Sequence, residues 1–242
     1  MLRVCYFTHR GFVRENNEDA LLLGSLVLQQ ELMEELECIG LEEGSYVFAV
    51  ADGLGGHRGG EVASRMVLEV LAELKPKDEG SLLRALKEAR DKLEKFAREY
   101  PAYLGLGTAV AGMVTLEEKA IVFNVGDCRV YKIEEGKAQR LTQDHTEAEE
   151  LIRAGLLTPQ RAKHDPRRNF LTSAIIGSPE FRDFEVFMKR IDFEGDYLVC
   201  SDGLWETLED EELALPPDRL VELSLSKGGS DNVTLLHIRK EV

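Results

Sequence analysis

Apolar runs that stop at a carboxylate recur along this chain, and they constrain its fold more than any other feature. "VFAVADG" (47–53) ends in Asp52-Gly53, and "DYLVCSDG" (196–203) repeats the pattern at Asp202-Gly203. "VFNVGD" (122–127) ends in Asp127, Asp231 of "GGSDNVTLLHI" stands just ahead of an apolar run, and Glu18-Asp19 of "RENNEDALLL" opens another. Asp-Gly is also a common turn dipeptide, so any one instance says little. Together they say more. The acids would repel one another, and buried charges persist when they are paired or bind metal. Bases near them in sequence are few: Arg14, Arg58 and Arg129. Several carboxylates with no Cys or His pair select a hard, oxygen-seeking cation, Mg2+ or Mn2+, over zinc or copper. A glycine beside an aspartate lets a backbone carbonyl approach the ion as a further oxygen ligand.

Short apolar or alternating runs predict strands over roughly 2–8, 20–28, 46–51, 107–115, 120–125, 128–134, 138–141, 183–189, 196–200 and 233–239. Two helices are predicted. Val62, Met66, Val67, Val70, Leu71 and Leu74 share one face over 60–74, and Leu82, Leu86, Ala89, Leu93, Phe96 and Tyr100 do so over 81–100. Shorter helices are expected at 146–155, 158–163 and 217–226. Consecutive strands with helices paired between them favour antiparallel sheets over a βαβ repeat. The fold class expected is α+β, two stacked, mainly antiparallel sheets with helices outside, in one domain over 1–242. Within 24–46, "QQELMEELECIGLEEG" has helical spacing and an acidic face. It reads as a solvated surface helix or an elongated hairpin; as an insertion it could instead select a partner or substrate.

The chain carries 45 acidic against 30 basic residues, a formal charge of −15. That sign argues against a nucleic-acid or anionic-membrane partner, since phosphate backbones are held by clustered Lys and Arg. The N-terminus lacks the apolar core of a signal peptide, and "ALLLGSLVL" (20–28) is half the length needed to cross a bilayer. Cys5, Cys38, Cys128 and Cys200 lie far apart with no CxxC pair. They are expected to be small core residues of a reduced, cytoplasmic protein. The glycines of "GLGG" and "GG" belong to no GxxxxGK[ST] pattern, so they are read as room for backbone near a metal and a helix.

"RENNEDA", "VADGLGGHRGGEVAS", "GLGTAVAGMV", "NVGDCRVY", "LTQDHT", "HDPRRNFLTSAIIGS", "CSDGLWE" and "GGSDNVT" follow one another in this order. In order and context they resemble the bacterial-type protein phosphatase 2C family, the metal-dependent serine/threonine phosphatases. The likeness spans about residues 8 to 239. It implies a four-layer αββα sandwich with a binuclear Mn2+/Mg2+ centre at one end. It implies hydrolysis of phosphoserine and phosphothreonine by a metal-activated hydroxide without a covalent phosphoenzyme. Position by position, Asp52 resembles the ligand bridging both metals, with the Gly53 carbonyl beside it. Asp202 and Asp231 resemble the remaining direct carboxylate ligands. Asp19, with Glu18, resembles the outer acid that orients metal-bound water. Arg14 resembles the arginine that grips the substrate phosphate. Asp127 and Glu206 resemble the pair holding a third, weaker metal, with Glu206 standing where many members carry Asp.

His57 is a candidate general acid, although some members place a histidine directly after the Asp-Gly pair, where this chain has Leu54. Residues 144–170, helical with a small basic cluster, resemble the family's mobile flap and not a DNA reader, and His145 within them is expected to be structural. The implied partners are phosphorylated proteins, counterpart to a serine/threonine kinase. Two alternatives share the fold: a phosphoprotein-binding pseudophosphatase and a small-molecule phosphomonoesterase.

Overall fold

The computed structural model describes residues 1–54 and 59–241. In chain order the strands are β1 (Leu2–His9), β2 (Asp19–Leu23), β3 (Leu26–Leu28), β4 (Glu37–Leu41), β5 (Val47–Gly53), β6 (Gly107–Leu116), β7 (Lys119–Val125), β8 (Arg129–Glu134), β9 (Lys137–Arg140), β10 (Ile175–Ile176), β11 (Phe187–Asp192), β12 (Gly195–Cys200) and β13 (Val233–Lys240). The helices are α1 (Gly60–Leu74), α2 (Glu79–Glu99), α3 (Glu147–Arg153), α4 (Pro159–Ala162), α5 (Asp202–Trp205) and α6 (Pro217–Ser226). One sheet has the order β4-β1-β13-β12-β8-β9; the other runs β11-β7-β6-β5-β2-β3, with β10 added on β6. Every pairing between these strands is antiparallel. The expected α+β class holds.

Strand alternation decides what each face of the seven-stranded sheet buries. Ala20 and Leu22 of β2, with Val47, Ala49 and Ala51 of β5, pack with Val67 and Leu71 of α1 and Leu86 and Leu93 of α2. Leu21, Leu23, Phe48 and Val50 point the other way, into a second cluster with Phe7, Val199 and Leu235 of the facing sheet. Successive side chains alternate between faces. Asp19 and Asp52 therefore continue the second series, and their carboxylates face the other sheet. That second cluster reaches through the six-stranded sheet to Leu204 of α5 and Leu220 of α6.

Both long helices form where the apolar spacing predicts. For α2, the start is fixed by a capping box: Asp78 Oδ1 accepts the Ser81 N–H at 2.7 Å, and Ser81 Oγ accepts the Asp78 N–H at 3.1 Å. This moves the start two residues earlier than the apolar pattern alone suggests.

The structure corrects the sequence reading in several places. Residues 20–28 are two strands, because Gly24 turns the chain at φ +66°. The strand expected at 183–189 runs over Phe187–Asp192. No helix forms within 24–46. Instead β4 adds an edge strand to β1, and Met33 is buried beside Thr8, its N–H donating to the Thr8 carbonyl at 3.1 Å. The cysteines are corrected too. Cys5 and Cys38, distant in sequence, stand directly opposite in the β1–β4 register with Cα atoms 4.0 Å apart, and they form a disulfide. Cys128 and Cys200 are free and buried, as core residues are expected to be. Among the described residues no helix is long and apolar enough to cross a membrane.

Candidate metal centre

Antiparallel pairing brings the carboxylates to one end of the sandwich. Asp19 opens β2 and Asp52 lies near the end of β5, and the two are register partners. In the facing sheet, Asp202 follows the end of β12 and Asp231 precedes the start of its neighbour β13. Asp127 lies in the link from β7 to β8, where the chain crosses between sheets. Glu206 caps the single turn of α5 that Asp202 begins.

Asp19 is fully buried. Its Oδ2 accepts the Ser201 hydroxyl at 2.7 Å, and its N–H donates to Asn17 Oδ1 at 3.1 Å. Asn17, also buried, anchors in turn on Thr8 Oγ1 (2.8 Å) and the Gln30 carbonyl (2.7 Å). Asn232 ties the loops on the other side: its Oδ1 accepts the Glu18 N–H, and its Nδ2 donates to the Arg10 and Asn16 carbonyls, each at 2.9 Å. Gln29 reaches the first turn of α1, donating to the Glu61 carbonyl at 2.8 Å. The sequence reading does not single out Ser201, Asn17 or Asn232. Their signal was present, since each adjoins an acid inside "CSDG", "NNED" and "SDNV".

Two glycines are required by close approach. A β-carbon at Gly53 would overlap the backbone of Gly60 at the start of α1, and one at Gly203 would overlap the Asn232 carbonyl. The room these glycines leave draws α1 and the β13 loop in against the acids.

The electrostatics are those of acids crowded without enough bases. Burial, with hydrogen bonds from Thr234 and Ser201 opposing and Asp202 and Asp231 adding, pushes Asp19 up to about 7. Asp52 is held well above the carboxylate range by burial and by Asp19, Asp202 and Asp127. Asp127 is raised likewise by burial, then Asp202, Asp144 and Glu206. Burial and Asp231 raise Asp202. Burial and Asp202 push Glu206 up to about 7. Glu18, half-buried, is raised by burial and Glu61.

Among the described residues, Arg14 and Arg168 touch this cluster. Arg14 donates to Asp231 Oδ2 at 2.7 Å; burial works against its charge, but Asp231, Asp202 and Asp52 hold its pKa above the usual value. Arg168, from the 144–170 segment, comes within 3.4 Å of Glu206. Arg129 serves elsewhere, paired with Asp144 at 3.0 Å and stacked over Trp205, whose Nε1 donates to the Asp127 carbonyl. His145 is structural as expected: its Nδ1 accepts the Gly126 N–H at 3.0 Å, shaping the turn before Asp127. His57 lies outside the described residues.

The residues fit a hard divalent cation. Asp19 Oδ1 and Asp202 Oδ1 are buried with no hydrogen-bond partner. Unpartnered buried carboxylate oxygens are costly unless a cation or proton meets them. Among the described residues no three Asp, Glu, His or Cys side chains close on one point as a finished metal shell. A finished shell is not needed for Mg2+-like ions, which keep several waters and use one or two carboxylates each.

The family model for protein phosphatase 2C matches residues 35–230. The chain belongs to the protein phosphatase 2C family. It is 31% identical to the serine/threonine protein phosphatase PstP of Mycobacterium tuberculosis over 98% of its length, and spans 44% of that relative. Against the serine/threonine phosphatase stp of Listeria monocytogenes it is 27% identical, covering 97% of this chain and 94% of the relative. The crystal structure of M. tuberculosis PstP superposes with a TM-score of 0.82 at 29% identity, over 100% of this chain and 99% of that one. Another structure, the PstP catalytic domain in complex with two manganese ions, superposes at 0.77 with 28% identity and 99% coverage of both. The protein phosphatase 2C fold accounts for the paired antiparallel sheets.

Proposed function

We propose that this chain is a metal-dependent protein serine/threonine phosphatase, one catalytic domain over residues 1–242, working with Mn2+ or Mg2+ on phosphoproteins made by a serine/threonine kinase. The observation that carries the reading is the pair of buried, unpartnered carboxylate oxygens, Asp19 Oδ1 and Asp202 Oδ1, inside a cluster of raised-pKa acids. Asp52, Asp202, Asp231 and the Gly53 carbonyl would hold two ions, with Glu18 and Asp19 behind them. Asp127 and Glu206 would hold a third, weaker one. The manganese in the similar PstP domain supports this choice. Ions held there supply Lewis acidity and water ionised near neutral pH.

The protein's own groups do the rest. Arg14 exchanges its contact with Asp231 for two phosphate oxygens, which its fork can bind together. The Ser201 hydroxyl, donating to the Asp19 carboxylate, opposes the burial that raises its pKa, and Asn17 holds the Asp19 backbone in place.

Phosphate release from a phosphothreonine peptide tests the reading. Turnover is expected with Mn2+ and none with EDTA. Asp231→Asn should lower kcat/KM by at least the roughly 10–100-fold that loss of outer-shell partners costs. A wild type that takes up Mn2+ yet turns over neither the peptide nor p-nitrophenyl phosphate would instead be a phosphoprotein-binding pseudophosphatase. A clear preference for phosphorylated metabolites over peptides would make it a small-molecule phosphomonoesterase.

A further inference from the structure

Phe12 and Val13 are left 67% and 69% exposed, yet the turn that carries them is firmly held. Gly11 adopts φ +79°, and a β-carbon there would overlap the carbonyl oxygens of Gly229 and Asp231. Its N–H donates to His9 Nδ1 at 2.8 Å. Phe12 donates its own N–H to the Gly229 carbonyl at 2.7 Å. The Phe12 ring meets His9 edge-on with centroids 5.6 Å apart, and His9 stacks at 6.0 Å on the core residue Phe7. On its other side the ring lies against Gly229, where a β-carbon would come within 2.9 Å of it. Two residues along, Arg14 reaches Asp231. The Phe12 ring and the Arg14 guanidinium are therefore seated on the same short turn, Gly229 to Asp231.

This arrangement offers an apolar surface at a fixed distance from the position where a phosphate would sit. Phe12 and Val13 immediately precede Arg14, and consecutive Cα atoms are about 3.8 Å apart, so residues one or two positions from a phosphorylated residue held at Arg14 are within reach of them. The −15 charge of the chain disfavours acidic flanking residues. We propose that Phe12 and Val13 select phosphopeptides carrying an apolar side chain within two residues of the phosphorylated Ser or Thr. The proposal rests on the phosphatase reading and on Arg14 as its phosphate contact.

The test uses phosphothreonine peptides identical except for Leu or Gly at the two positions on either side of the phosphorylated residue. Partial burial of one Leu against Phe12 corresponds to a preference of about fivefold in kcat/KM for the Leu peptide on at least one side. Phe12→Ser should bring that ratio close to one, Val13→Ser should reduce it, and Phe12→Leu should preserve it. Equal rates on Leu and Gly peptides in the wild type, or a preference that Phe12→Ser leaves intact, would overturn the proposal. A wild type that releases phosphate from p-nitrophenyl phosphate without discriminating the peptides rejects selection alone. One that hydrolyses none of these rejects the phosphatase reading itself.

Discussion

Ser201 joins the two sheets at the point where their acids meet. Its hydroxyl donates to Asp19 Oδ2 from the opposite sheet at 2.7 Å and accepts the Thr234 N–H at 3.2 Å. With Asp19 Oδ1 already unpartnered, Ser201→Ala leaves a fully buried carboxylate with one support fewer and the Thr234 N–H without its acceptor. A cost of about 1–3 kcal/mol is expected, read as a lower urea midpoint at unchanged slope in EDTA. No change in midpoint would mean that water or Thr234 carries Asp19 equally well. The acids themselves were legible in the sequence because a charge at the end of an apolar run has a cost that needs a reason. Ser201, Asn17 and Asn232 were marked only by standing next to those acids, a weak signal because a neutral polar residue beside a turn has many ordinary uses. Only the fold shows that Asn17 spans from Asp19 to Thr8, or that Asn232 holds Glu18.

At the scale of elements, α1 and α2 follow from periodicity because one face of each packs on a continuous core, and β5 and β12, which lead to Asp52 and Asp202, follow from apolar runs buried on both faces. The stretch 24–46 does not, since its structure depends on what lies beside it. Leu32, Met33, Leu36 and Ile39 have helical spacing, but β1 offers an open edge, and Cys5 stands opposite Cys38 across it. The disulfide closes a loop with a sequence separation of 33, which contains Arg14, Glu18 and Asp19. Closing a loop of that size stabilises by about 3–4 kcal/mol through the entropy of the unfolded chain. Cys38→Ser, or the wild type held in strong reductant, should therefore unfold at lower urea by that order. It should also lose Mn2+ affinity, because the adjoining Gln29–Met33 segment braces Asn17, Thr8 and α1. Identical unfolding of oxidised and reduced protein would show that β-pairing alone holds this edge.

Over the whole molecule, folding gathers Asp19, Asp52, Asp127, Asp202 and Glu206 where burial makes their charge most costly. Without metal, the folded state retains protons on Asp19 and Glu206 up to about pH 7, and on Asp52 and Asp127 well above the carboxylate range. The unfolded chain releases those protons near pH 4. The native state thus binds more protons than the unfolded state across this window, and stability falls as pH rises through it. Burial lowers the pKa of His9, His145 and His237, which acts in the opposite sense, but only below their ordinary value of about 6.5. Between about pH 7 and pH 8 the acids dominate, and the buried Cys128 and Cys200 thiols, pushed up by burial, act in the same sense. Metal-free protein should lose Tm across that interval. Mn2+ at about 100 times its Kd contributes about 2.7 kcal/mol, and so about 5–10 °C for a chain of this size. That gain should shrink towards pH 5, where protons compete for the same oxygens. A metal-free protein whose Tm climbs from pH 7 to pH 8, or one indifferent to Mn2+, would mean that these carboxylates are not gathered as they are placed here.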